Sequence, residues 1–222
     1  MKLYGANVTL ISKEEGGFIK CVEEAKKLAK ETNGFLANQF ENEDNITAHY
    51  ETTGKEILEQ LEAKEIGGFV SGVGTGGTLI GIGRRLKEKD HQIKIYALEP
   101  EKMPILSEGK ILGQHKIEGI GDDFVPDLID KTKIDEIILV NDEDSINMSR
   151  KLSRELGLGV GISSGANFIG SVLLNERLNS PVVTVFADDN KKYLSTDLSK
   201  EIDDNMVFIS NQIKLINYEW TL

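Results

Sequence analysis

Cysteine is nearly missing from this chain. Cys21 stands alone among 222 residues, so no internal disulfide can form and a reducing compartment is expected. It falls on the apolar stripe of an expected helix and reads as packing. Positive charge is also in short supply. Lys and Arg number 26 against 37 Asp and Glu, a formal net charge of -11, which argues against nucleic acid or an anionic membrane surface as partner. The acids are spread along the chain, so the same number also reads as solubility. No apolar run approaches the length of a membrane span, and the start lacks the basic-then-apolar pattern of a signal. A cytoplasmic protein is expected. No internal repeat or low-complexity tract is visible, and no residue is assigned to a metal.

What is there is organised around Ser71-Gly-Val-Gly-Thr-Gly-Gly-Thr78. Before it, Ile66 to Val70 reads as a short buried strand. After it, Leu79 to Lys89 repeats apolar residues at helical spacing. A glycine turn between strand and helix lets backbone N–H groups point inward and puts an anion at the positive end of the helix dipole. Thr75 and Thr78 add hydroxyl donors, which suits a phosphate monoester. Two other readings stay open on these residues. Gly72, Gly74 and Gly77 also fit G-x-G-x-x-G, with Glu99 about where a dinucleotide's ribose-binding acid would sit. The turn can also simply be a tight connection without a ligand.

Along the chain, Lys2 to Ile11 reads as a strand and Glu14 to Thr32 as a helix stopped by Asn33-Gly34. Asn45 to Leu61 is helical with a break near Gly54, and Gln92 to Glu99 is a strand ended by Pro100. Glu101 to Asp130 has little periodicity and reads as functional or lid-like. Ile134 to Val140 is a strand and Asp142 to Leu156 a helix with an acidic first turn. Gly157 to Ile162 reads as a strand, Ser163 to Gly165 as a second strand-to-helix turn, and Asn167 to Arg177 as a helix. Pro181 to Phe186 is a last strand, before a polar turn and a C-terminal helical segment. Alternating strands and helices imply an α/β fold with a parallel sheet. Such sheets bind ligands at the carboxyl ends of their strands, where Gly74–Thr78, Ser163–Gly165 and Ala187–Asn190 converge. An N-cap hydroxyl would equally explain Ser163.

Assembled in order, these segments resemble the cysteine synthase (O-acetylserine sulfhydrylase) family, pyridoxal-phosphate enzymes of fold type II that include cystathionine β-synthase. The resemblance rests on Gln39-Phe-Glu-Asn42, His49-Tyr-Glu-Thr-Thr-Gly54, Gly72 to Thr78, Leu98-Glu-Pro100, His115 to Gly121, Gly161-Ile-Ser-Ser-Gly-Ala166 and Lys192-Tyr-Leu-Ser-Thr196. It implies a three-layer parallel-sheet architecture, with residues 1–36 from a smaller domain and 37–222 from a larger, cofactor-binding one. It also implies pyridoxal 5′-phosphate held by Gly74, Thr75, Gly76, Gly77 and Thr78, with Ser163 at the pyridine nitrogen. Gln39 and Gly119 would meet the substrate, although Gln39 also reads as a plain surface residue. A homodimer, a small amino-acid substrate and a serine acetyltransferase tail as partner belong to the same implication.

The departures set further expectations. The family's Ser-x-Lys-Asp-Arg setting of the Schiff-base lysine and its Thr-Ser-Gly-Asn-Thr loop occur nowhere in these residues. The chain therefore reads as truncated at its N-terminus and unable to complete the reaction alone. Asp122-Asp123 follow Gly119-Ile-Gly121, where the family often has small neutral residues. Asp122 is the candidate general base, suited to water or an amine rather than sulfide, with a solvated turn acid as the plain alternative. Ala187-Asp-Asp-Asn190 replaces a Pro-Asp-Ser-Gly pattern. The expected chemistry is β-replacement on O-acetylserine or cysteine. The alternatives are a cysteine-consuming reaction releasing sulfide, a non-catalytic cofactor-binding remnant and an NAD-dependent oxidoreductase.

Overall fold

The computed structural model describes residues 1–12, 14–61, 65–200 and 207–219. The chain divides into two compact units, Met1–Asn38 and Gln39–Leu222.

In the first unit a 3-10 turn, Lys2–Tyr4, precedes helix α1 (Gly17–Thr32). The helix ends on Asn33 in the left-handed region, with its N–H bonded to the Ala29 carbonyl, the expected stop signal. The strand expected over Lys2–Ile11 does not form. Among the described residues this unit contains no strand, and a lone apolar segment has no ladder to join. Cys21, expected to pack, is exposed on α1.

In the second unit come α2 (Asp44–Glu51), α3 (Thr53–Leu61), β1 (Gly68–Gly72), α4 (Gly77–Lys89), β2 (Lys94–Pro100) and α5 (Ile105–Glu108). They are followed by β3 (Glu136–Val140), α6 (Asp142–Leu156), α7 (Ile162–Leu178), β4 (Val182–Thr184) and α8 (Ile209–Gln212). The strands form one sheet in the order β3-β2-β1-β4, every pairing parallel. In register, Gly68 lies beside Lys94 on one side and Val182 on the other.

Strand alternation sorts the two faces. Val70, Tyr96, Leu98, Ile138 and Val140 pack with Met148 and Leu152 of α6 and Ala166, Ile169 and Leu174 of α7. Phe69, Ile95 and Ala97 point the other way and pack with Leu79, Ile82 and Leu86 of α4. The result is helix–sheet–helix. A fully buried side chain such as Leu98, at 0% exposure, contributes roughly 1.5–3 kcal/mol. Both central strands are covered on two faces, which is why their sequences read as continuous apolar runs.

The helical stretch before Leu61 breaks at Thr52, close to Gly54 as expected. One segment of this unit differs from expectation. Gly157 to Ile162 is not a strand. Only Val160 makes an isolated antiparallel bridge, to Asp189, because Gly161 N–H donates to the Asp188 carbonyl and Val160 N–H to Leu158. Ser163 to Gly165 consequently lie inside the first turn of α7 instead of in a loop before it.

Candidate cofactor cavity

The parallel sheet directs three connections to one end, and there they enclose a cavity of about 360 Å³. The turn after β1 supplies Gly74, Thr75, Gly76 and Thr78, the segment before Gly121 supplies Glu118, Gly119 and Ile120, and α7 supplies Ser163 and Asn167. The segment after β4 closes it with Val185, Ala187, Asp188, Lys192 and Tyr193.

The glycine turn forms because side chains are excluded from it. A Cβ on Gly74 would lie 2.6 Å from the Gly119 carbonyl oxygen, and Gly76, the N-cap of α4, has φ 92°. At that φ an L side chain is strained. Gly77 N–H meets Thr75 Oγ1 at 3.4 Å, and the remaining free N–H groups of the first turn of α4, with the helix dipole behind them, suit an anion. Lys192 is the one cationic side chain among the lining residues, and its ammonium lies 3.4 Å from Asp188 Oδ2. Backbone amides and hydroxyls, rather than a lysine or arginine clamp, thus make up the anion end.

Both hydroxyls of that end are held from behind by α2. Asn45 Nδ2 donates to Thr75 Oγ1 at 2.9 Å and to the Gln39 carbonyl at 2.8 Å. His49 Nε2 lies 3.1 Å from Thr78 Oγ1, and its Nδ1 lies 3.1 Å from Thr53 Oγ1. Burial lowers the His49 pKa, so the imidazole is neutral at physiological pH. α2 comes this close because α4 carries glycines. A Cβ on Gly77 would sit 1.9 Å from Asn45 Oδ1, and one on Gly81 would sit 2.5 Å from the Ile46 carbonyl.

Ser163, which also lines the cavity, is 6% exposed, and among the described residues no protein group bonds its hydroxyl. The N-cap of α7 is Gly161, without a side-chain cap, so Ser163 is not a capping residue. Asp188 accepts from the Tyr193 hydroxyl, while its buried Oδ1 has no partner. Burial, then the bond to Asp188, pushes the Tyr193 phenol up and keeps it a donor. Asn167 ties the walls together, accepting from Gly72 N–H at 2.8 Å and donating to the Val185 carbonyl at 2.9 Å.

The cavity brings together Gly74, Thr75, Gly76, Thr78, Gly119 and Ser163. It leaves out three expected residues. Gly77 packs against Asn45. Gln39 is exposed and takes part through its backbone carbonyl, two hydrogen bonds from Thr75. Asp122 is half-buried and lines a narrow crevice with Glu99, Met103 and Phe124 that shares only Gly74 with the cavity. Burial and then Asp123 raise its pKa, against a lowering by His115. Glu99 does not face a ribose site. It is 2% exposed and accepts from Leu106 N–H at 2.8 Å and Ser107 N–H at 3.0 Å, closing the start of α5.

Asn45, His49 and Asn167 carry no role in the sequence reading, and Asp188 enters it only within the Ala187–Asn190 turn. Asn45 and His49 did leave a signal, being four apart on one helix face, ahead of a glycine-rich turn. Glycine freedom, anion donors and an unpartnered serine hydroxyl on one cavity together fit a phosphorylated, nitrogen-bearing aromatic group. Gly74, Thr75, Gly76 and Thr78 would hold its phosphate and Ser163 its ring nitrogen.

The family model described as pyridoxal-phosphate-dependent enzyme matches residues 1–188. Cysteine synthase B of Campylobacter jejuni is 43% identical over 198 residues, 88% of this chain and 65% of the relative. The chain thus spans about two thirds of that protein's length. A hydrogen sulfide-producing enzyme from Fusobacterium nucleatum superposes with TM-score 0.93 at 46% identity, covering 100% of this chain and 67% of that one. An Asp-to-Asn variant of that enzyme, solved with an α-aminoacrylate intermediate, superposes with TM-score 0.94 at 46% identity, covering 100% of this chain and 68% of that one. An O-acetylserine-dependent cystathionine β-synthase from Helicobacter pylori superposes with TM-score 0.81 at 38% identity over 88% of this chain and 63% of the other.

Proposed function

This chain belongs to the pyridoxal-phosphate-dependent enzyme family, and on that premise we propose that its cavity serves β-replacement on a serine or cysteine derivative. The observation that carries this is the convergence of the glycine turn, Gly119 and Ser163 on one cavity of cofactor size. Bound there, the cofactor supplies an electron sink for carbanion chemistry at an amino acid's α-carbon. Gly74, Thr75, Gly76 and Thr78 anchor its phosphate. Ser163, a neutral hydroxyl, accompanies the pyridine nitrogen without protonating it, which moderates the sink and favours elimination at the β-carbon. Gly119, at φ 90°, presents backbone rather than a side chain to the substrate, with the Gln39 segment as its second flank.

Asp122 supports a sulfide-releasing form of the same chemistry. A half-buried carboxylate of raised pKa beside Gly74 suits proton removal from a neutral nucleophile, whereas it would repel sulfide. The similarity to a hydrogen sulfide-producing enzyme agrees with this form. Lys192, the one lysine lining the cavity among the described residues, is paired with Asp188. We therefore expect these residues to bind the cofactor without a lysine-linked chromophore or turnover of their own. The proposal also includes a homodimer in the cytoplasm with a serine acetyltransferase tail as partner. It puts the boundary between a smaller and a larger domain at residues 36 and 37, which the division of the chain at Asn38 supports.

Titration calorimetry with pyridoxal 5′-phosphate and with NAD tests the cavity. Tighter binding of the phosphate monoester is expected, and tight NAD binding without a response to pyridoxal phosphate would overturn the proposal. For Asp122, the chain is fused to the lysine-bearing segment of a relative. Asp122→Ala should then slow turnover with water or an amine by about 10²–10⁴-fold and spare sulfide addition. Equal losses would leave Asp122 as a loop-shaping residue.

A further inference from the structure

Thr75 and Thr78 face the anion end of the same cavity, but their hydrogens are not equally committed. Thr75 Oγ1 accepts from Asn45 Nδ2 at 2.9 Å and from Gly77 N–H at 3.4 Å. A hydroxyl has two lone pairs and one proton. With both acceptor positions taken, the Thr75 proton is left for the cavity, and Thr75 is a fixed donor.

Thr78 has a single protein partner among the described residues, His49 Nε2 at 3.1 Å. The other nitrogen of that ring meets Thr53 Oγ1, also at 3.1 Å. A neutral imidazole is a donor at one nitrogen and an acceptor at the other. The Thr53–His49–Thr78 chain can therefore run in two directions. With the proton on Nδ1, His49 donates to Thr53 and takes the Thr78 proton, so Thr78 turns a lone pair toward the cavity. With the proton on Nε2, Thr53 donates to Nδ1 and His49 donates to Thr78, whose own proton is then free to point at an anion. The dianion of a phosphate monoester has only acceptors to offer and can bond Thr78 only in the second arrangement.

We infer that His49 is a positioning residue of the anion site: its Nε2–H tautomer turns Thr78 into a phosphate donor, and phosphate binding in turn selects that tautomer. This inference rests on the phosphate-cradle reading given above. It makes the cavity selective for ligand charge through a residue that does not line it. A ligand without the anion leaves either direction of the chain available, and only an acceptor at the α4 N-terminus fixes it. The geometry is held by packing, since α2 reaches Thr78 across the glycine at position 81, where a Cβ would lie 2.8 Å from His49 Cβ.

The test uses this chain labelled with ¹⁵N-histidine and titrated with pyridoxine 5′-phosphate, which has no aldehyde to react with lysines. Of the three imidazoles, the His49 signals are those absent in His49→Gln. Well above the pH at which imidazole protonates, the bound state is expected to show Nε2 as the protonated nitrogen and Nδ1 as the bare one. A bound state with the proton on Nδ1 overturns the inference while leaving the cradle reading intact. If the ligand does not bind at all, both fall.

Affinities provide an independent readout. His49→Gln retains an amide donor toward Thr78 and should bind within about threefold of wild type, whereas His49→Leu should lose about tenfold, the loss expected for one net hydrogen bond. Thr78→Val should lose a similar factor. In the Thr78→Val background His49→Leu should cost nothing further, because there is no hydroxyl left to orient. Additive losses would mean that His49 acts through the packing of α2 and would overturn the inference.

Discussion

The contact between Gly77 and Asn45 allows a test in which one substitution changes sign with its background. In the native chain, a Cβ on Gly77 would meet Asn45 Oδ1 at 1.9 Å, Cγ at 2.4 Å and Nδ2 at 3.0 Å. The amide has to leave, and it gives up its bonds to the Gln39 carbonyl and Thr75 Oγ1. Two net hydrogen bonds at about 0.5–1.5 kcal/mol each and residual crowding of about 1 kcal/mol put Gly77→Ala at roughly 2–4 kcal/mol destabilising. Asn45→Ala removes all three obstructing atoms and should cost about 1–3 kcal/mol by itself. Once Asn45 is Ala, the three atoms nearest to that Cβ are gone. Gly77 is not among the positive-φ positions that would remain of concern for α4, since it lies at the first helical position with helical geometry. There, replacing glycine should stabilise by about 0.4–1 kcal/mol through the unfolded state. Urea denaturation of the four proteins reads the cycle, and the expected coupling of about 2.5–5 kcal/mol moves a midpoint by roughly 1–2 M. If Gly77→Ala costs the same in both backgrounds, the clamp of α2 on the glycine turn is not what excludes a side chain at position 77.

Three further outcomes are expected. Glu99→Ala, which strips the start of α5 of a buried acceptor for Leu106 and Ser107, should cost about 3–5 kcal/mol in denaturant melts, with Glu99→Gln about half of that; a loss under about 1 kcal/mol would refute its structural role. Asp122 has a folded-state pKa raised by burial and Asp123, so the folded state binds the proton more tightly and stability falls as pH rises through that raised value; Asp122→Asn should be the more stable protein at neutral pH and lose its advantage below about pH 4, and a pH-independent difference would refute this. Asp197 is held down to about 2, mainly by Lys116 and then Lys200, so its contribution is present above the ordinary carboxylate range and lost as pH falls through about 2; Asp197→Asn should lower the melting temperature at neutral pH and at low salt, and converge with wild type in strong acid.

The legibility of this chain follows the range of the interactions that shape it. The turn from β1 into α4 is local, so glycine spacing and helical periodicity were enough to locate it, and the acidic first turn of α6 sits at Asp142 as its residues imply. Gly157 to Ile162 misled because Val160 and Ile162 are apolar for a different reason than pairing. Both side chains enter the core, and it is the glycines beside them that bond a distant turn, Gly161 N–H to the Asp188 carbonyl and the Gly159 carbonyl to Asn190 N–H. Lys2 to Ile11 has strand composition but, among the described residues, no strand beside it. Within the site, Thr75, Thr78 and Ser163 could be named from sequence because motif and chain direction aim them. What orients the two threonine hydroxyls comes from α2, 30 positions earlier than Thr75 in the case of Asn45, and that is a tertiary fact. Glu99 shows the opposite error, since its spacing suited a ribose contact while its side chain folds back onto α5.

The strand order also carries a consequence for how the molecule assembles in time. β1, α4 and β2 are neighbours in sequence, and the glycine turn is complete once this unit has folded. β4 reaches β1 only after a detour through the rest of the domain, with Thr184 Oγ1 bonding the Val70 carbonyl 114 residues away. Closing that longer loop costs on the order of 1 kcal/mol more than joining β1 to β2, and contacts of such separation form late. The anion end of the cavity is therefore built early and stands open, while the wall bearing Asp188, Lys192 and Tyr193 arrives last. On the proposed reading, a cofactor present during synthesis would meet the phosphate-binding turn before the wall around Ser163 and Asp188 is closed, and would be placed to template the closing strand.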